Sequence, residues 1–102
     1  MKYQLVLQWP TSSLSDYDEM IGVEDSLIEG LPGDCEVDGH DEGSGQMNIF
    51  LRTDSPAKTF ADVKAILESG EMWPDIRIAY RNIESSGYAI LWPENLKEFS
   101  VL

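Results

Sequence analysis

The apolar residues of this chain switch period repeatedly along its length, and that switching limits its possible folds more than any other feature. Tyr3, Leu5, Leu7 and Trp9 alternate with Lys2, Gln4, Val6 and Gln8. This is the two-residue period of a half-buried strand, and Pro10, which cannot donate to a sheet ladder, stops it. From Ser15 the period lengthens. Tyr17, Met20 and Ile21, Leu27 and Ile28, and Leu31 form a helical stripe that only Glu24 interrupts. Ser15 with Asp18 three residues on has the spacing of a capping box, and Asp16, Asp18 and Glu19 suit a helix N-terminus. Gly30 and then Pro32-Gly33 end the stripe, so the pattern predicts a helix over roughly 15–29.

Period two returns at Cys35, Val37 and Gly39 and again at Met47, Ile49 and Leu51, with a turn-rich loop from Asp41 to Gly45 between them. Residues 34–52 therefore read as a hairpin. Ser55 followed by Pro56 is a strong helix start, a capping serine before proline at the first helical position. Phe60, Val63, Ile66 and Leu67 supply the buried stripe of that helix, and Gly70 its stop. Ile76, Ile78 and Tyr80 against Arg77, Ala79 and Arg81 give a fourth strand. Glu84-Ser85-Ser86-Gly87 turns into a short apolar strand, Tyr88 to Trp92. The tail after Pro93 fits either one helical turn or another short strand.

The order is β-α-β-β-α-β plus a C-terminal strand. From residue 2 to about residue 84 it resembles the ferredoxin-like superfold, an antiparallel sheet with both helices on one face. Short connections and right-handed crossovers imply the strand order 4-1-3-2. The likeness is one of element order, and a fold that hosts many functions implies no activity. The 102 residues, 42% apolar and 25% charged, are expected to form a single α+β domain over 1–102.

Charge is the compositional anomaly. The chain carries −12, with nineteen acids against seven bases. Between Lys2 and Arg52 it has no lysine or arginine at all. Such a half repels phosphate backbones and anionic membranes, so neither nucleic acid nor membrane is an expected partner. The apolar run Leu5-Val6-Leu7 is far too short for a signal core or a membrane span. Cys35 is the single cysteine, which excludes an internal disulfide and fits a small buried hydrophobe in a reducing cytoplasm.

Chemistry is thinly signalled. Asp34 to Gly39 has the opening of a calcium loop, but the closing bidentate position is Gly45 and the usual apolar anchor is Asp41. His40 is the lone imidazole, with Asp38, Asp41 and Glu42 its only neighbours for a transition metal. No serine sits in a strand-turn-helix elbow, and Gly43-Ser44-Gly45 precedes a strand where a phosphate loop precedes a helix. No cofactor is expected.

Two surfaces stand out. The first is acidic. The first helix carries Asp16, Asp18, Glu19, Asp25 and Glu29, and the second strand, an edge in the expected order, adds Asp34, Glu36 and Asp38, with Asp41 and Glu42 following. Arg52, Arg77 and Arg81 are expected away from it. The second is a set of three tryptophan-proline pairs, Trp9-Pro10, Trp73-Pro74 and Trp92-Pro93. Proline holds its predecessor extended, so each pair marks a strand end, and all three are expected at one edge of the sheet. They serve there as a plug over the core or as an aromatic hot spot.

The sheet face away from the helices is expected to be open. It would display Gln4, Val6 and Gln8; Glu36, Asp38 and His40; Asn48, Phe50 and Arg52; and Arg77 and Arg81. Phe50 alone is no base-stacking platform, which argues against RNA.

The favoured reading is a non-enzymatic domain that docks or neutralises a basic protein partner. In size and charge the chain is similar to small acidic immunity proteins, which inhibit nuclease toxins in the bacteria that make them, with no motif behind the likeness. Two alternatives differ in class. One is a small enzyme or ligand- or metal-binding domain using the tryptophan-proline end or the loop around His40. The other is a structural homodimer through the open sheet face, with Phe50 and Val6 near its centre, where the favoured domain would be a monomer or such a dimer.

Overall fold

The computed structural model describes residues 1–11 and 17–101, without the side chain of Tyr17. The first alternating segment forms β1 (Tyr3–Pro10) and the first helical stripe α1 (Tyr17–Gly30). The hairpin is β2 (Cys35–Gly43) and β3 (Gln46–Thr53), followed by α2 (Pro56–Leu67), β4 (Arg77–Asn82) and β5 (Ala89–Trp92). The expected capping box at Ser15, and Asp16, lie outside the described residues. The architecture is α+β, one five-stranded antiparallel sheet with two helices.

β1 holds the centre because it is apolar on both faces: Leu5, Val6 and Leu7 are each 0% exposed. Leu5 lies opposite Leu51 and Tyr80, and Leu7 opposite Ile49 and Ile78. With Trp9, Met47 and Ile76 these form the floor on which Met20, Val23 and Leu27 of α1 and Val63 and Leu67 of α2 pack. Each such side chain contributes roughly 1.5–3 kcal/mol by leaving water.

The start of α2 differs from the expected cap. Ser55 makes no side-chain cap bond. Instead the Thr53 hydroxyl, buried at the end of β3, accepts the Ser55 N–H at 2.9 Å and the Thr59 hydroxyl at 2.7 Å, tying strand and helix together. The loop expected over 41–45 is also shorter. β2 continues to Gly43 and only Ser44-Gly45 turn the chain, both with positive φ (53° and 80°), as a type I′ hairpin turn requires.

Three further differences bear on function. The sheet runs β2-β3-β1-β4-β5, so the order 4-1-3-2 does not describe all of it: the C-terminal strand extends it as a fifth. Ile78 to Tyr80 pair with Trp92 to Ala89, so β4 is internal and its arginines do not line an edge. Second, β2 bulges between Val37 and His40, with Gly39 at φ 96°. One extra residue flips the alternation, so His40 sits opposite Ile49 on the helix-covered face, away from Glu36.

Third, the face expected to be open is partly covered. Val6 and Ala79 are fully buried, and Gln8 and Asn48 are 2% and 1% exposed. The segment 93–101, neither helix nor strand, returns across this face. The Ser100 carbonyl accepts the Gln8 side-chain amide at 2.9 Å and that of Gln46 at 3.2 Å, and Phe99 packs on Tyr88 at 5.1 Å. The tail thus lies over the Gln8 end of this face, while Phe50 is half-buried and Glu36 and Arg52 are exposed on it. Arg81 is likewise engaged, donating to Gln4 and to the carbonyls of Ile83 and Ser85.

Among the described residues, no helix is long and apolar enough to cross a membrane.

Candidate functional site

The acidic residues lie on α1 and on the edge strand β2 beside it, with Glu36 and Asp41 on the sheet face away from the helix. Asp18, Asp25 and Glu29 are exposed on α1, with Glu19 half-buried; Glu36, Asp38, Asp41 and Glu42 are exposed on β2, and Asp34 precedes it. Asp16 lies outside the described residues. Some of this charge is answered internally. Asp34 pairs with Lys58 at 3.0 Å, and Lys58 also reaches Asp62 at 2.9 Å. Hydrogen bonds to Asp62 and then Asp34 raise the Lys58 pKa and keep it charged. Arg52, expected to stand apart, lies opposite Glu36 and pairs with Asp38 at 2.9 Å. Asp41 accepts the Asn48 amide at 3.0 Å. Among the described residues, Asp18, Asp25, Glu29, Glu36 and Glu42 have no ion-pair partner.

The loop around His40 dissolves as a cluster. The bulge aims His40 beneath α1, where Nδ1 lies 3.0 and 3.2 Å from the two Glu24 carboxylate oxygens. This accounts for Glu24, the charged break in the α1 stripe. Asp38 is drawn to Arg52 and Asp41 to Asn48, so the loop's polar side chains diverge. Among the described residues, no three histidine, cysteine, aspartate or glutamate side chains are placed to hold a metal ion. Cys35 is buried, its Sγ 3.6 Å from the Pro32 carbonyl. Burial, and next the charge of Asp34, push its thiol pKa up, away from a reactive thiolate.

At the covered face, Gln8 donates to Asn48 at 3.1 Å and Asn48 to Asp41. The ladder crosses three strands and ends on Ser100. Among the described residues it leaves no buried side-chain polar atom unsatisfied, which is the requirement for burying amides there.

The tryptophans gather at the end of the sheet where β1 and β5 finish. Trp73 and Trp92 lie 5.3 Å apart, and Trp92 packs on Phe60 at 6.3 Å with the Lys64 ammonium 4.9 Å above its ring. Trp9 is 1% exposed and donates its indole N–H to the Met72 carbonyl at 2.8 Å. Of the three tryptophans, Trp73 and Trp92 are half-buried, as is Phe60 beside them, so Trp9 contributes little to an aromatic contact surface here.

One feature escaped the sequence reading. A groove of about 310 Å³ runs between α1 and the end of α2, floored by Val23, Ile66 and Met72, with Glu19 and Glu71 on its rim and Gly22 in its wall. The available signal was Gly22. A glycine inside a helix costs about 1 kcal/mol relative to alanine, yet a Cβ at this position would meet nothing within 4 Å. The packing of the fold does not require it.

No protein-family model matches this chain, and comparison with curated proteins and with solved structures yields no match.

Proposed function

We propose that this chain is a non-enzymatic interaction domain that docks a basic protein through the flank formed by α1 and β2. The observation that carries this reading is a set of five exposed carboxylates, Asp18, Asp25, Glu29, Glu36 and Glu42, without ion-pair partners among the described residues. Arg52, opposite Glu36, and Lys58, near the start of β2, are already engaged by other carboxylates. Such a surface accelerates encounter with a cationic partner and sets its orientation. Inhibition of a basic enzyme, as immunity proteins do, is the function this arrangement would serve. The half-buried Trp73 and Trp92 provide an aromatic anchor for a second contact area.

The frame beneath this surface is proposed to be ferredoxin-like. Its support is the β-α-β-β-α-β element order and the sheet itself, which reads 5-4-1-3-2 from the β5 edge.

The test is binding of a polyarginine peptide to wild type, to the Asp25→Lys, Glu29→Lys, Glu36→Lys, Glu42→Lys variant, and to a control with Glu84→Lys, Glu94→Lys and Glu98→Lys. The flank variant is expected to bind at least ~10-fold more weakly and to lose the steep weakening that salt imposes between about 0.05 and 0.2 M. Equal losses in flank and control variants would reduce the effect to bulk charge and overturn the reading.

A further inference from the structure

The groove between α1 and the end of α2 combines three properties. Its floor is apolar, from Val23, Ile66 and Met72 on three separate segments. Its rim carries a carboxylate on each side, Glu19 from α1 and Glu71 from the connection to β4. Its wall is cut back at Gly22, where a side chain would meet no atom of the fold within 4 Å. Its volume of about 310 Å³ sits at the small end of the roughly 300–1,000 Å³ typical of ligand clefts.

We infer that this groove receives an arginine or lysine side chain from a basic, partly apolar segment of the docked protein. The inference rests on the docking function proposed above. An arginine or lysine is an aliphatic stem with a charged head, and it lies stably where the stem covers apolar surface and the head reaches carboxylates. Val23, Ile66 and Met72 meet the stem; Glu19 and Glu71 meet the head. An uncharged apolar segment would leave the exposed Glu71 carboxylate against hydrocarbon, and an acidic one would be repelled. Gly22 then has a purpose that the fold does not supply, since a helix wall without a side chain lets the incoming backbone approach closely. The groove opens beside the exposed acids Asp18 and Asp25 on the same helix, so steering and seating are adjacent.

The probe is a blocked peptide of alternating arginine and leucine, titrated into the full chain while the Val23, Ile66 and Met72 methyl resonances are followed. Gly22→Leu fills the groove without changing charge, and leucine favours the helix more than glycine, so this variant should fold at least as stably as wild type. Affinity is expected to fall ~10-fold or more in Gly22→Leu and less in Gly22→Ala, and in wild type the three methyl signals should shift on binding. Unchanged affinity in Gly22→Leu, or shifts confined to residues outside the groove, would overturn the inference. The flank charge-reversal variant separates the two claims. If flank reversal weakens the peptide and Gly22→Leu does not, the groove assignment fails and acidic docking stands; if neither variant weakens it, both fail.

Discussion

Cys35 illustrates how a single side chain reports its surroundings. Its thiol is buried, and both that burial and the nearby Asp34 raise its pKa. The folded state therefore holds this proton more tightly than the unfolded chain does. The stabilisation that follows is complete below the unfolded pKa, about 8.5, and is lost as pH rises through the higher folded value. The difference in urea midpoint between wild type and Cys35→Ala is thus expected to be constant up to about pH 8.5 and to shrink above it. A difference that widens with pH would contradict the assignment. Glu24 and His40 show the opposite case. Neither is interpretable from its local pattern, where one breaks an apolar stripe and the other sits on a polar alternation. They are explained together, by a contact of 3.0 Å between segments sixteen positions apart.

At the scale of elements, the C-terminal segment does most to redefine the molecule. It crosses the face on which Val6 and Ala79 are buried and accepts the amides of Gln8 and Gln46 on Ser100. Removing residues 94–102 uncovers these apolar side chains and deprives buried Gln8 of a hydrogen-bond partner. The expected cost is about 2–4 kcal/mol from lost burial and an unsatisfied amide, read as a lower denaturation midpoint. The uncovered face should also make the truncated chain self-associate with rising concentration in sedimentation, since contiguous apolar surface is sticky. An unchanged midpoint would show that the tail lies on the sheet without stabilising it. The bulge in β2 is the second such device. With Gly39 at φ 96°, it sends His40 to the helix layer while Glu36 stays on the other face.

At the scale of the whole molecule, net charge dominates. A chain at −12 repels itself, and among the described residues the Lys and Arg ion pairs Arg52–Asp38, Lys58–Asp34, Lys58–Asp62 and Lys64–Glu68 involve partly exposed side chains, each worth little. Raising salt from about 0.01 to 0.1 M shortens the screening length from about 30 to 10 Å. The melting temperature is therefore expected to rise by several degrees as repulsion is damped. A fall would mean that the ion pairs, and not the repulsion, are the larger effect. The strand and helix positions, their stops at Pro10, Gly30 and Gly70, and the lopsided placement of acid were all legible in the sequence. Each depends on residues within a few positions of one another. What only the tertiary structure decided was which surfaces remain free. The face expected to be open is partly covered by a segment whose Ser100 lies ninety-two positions from its partner Gln8 in β1, and the groove exists only because α1 and α2 pack side by side. Periodicity records which side of an element avoids water, but not which distant segment shields it. That relation is set by chain return and packing, which no local pattern encodes.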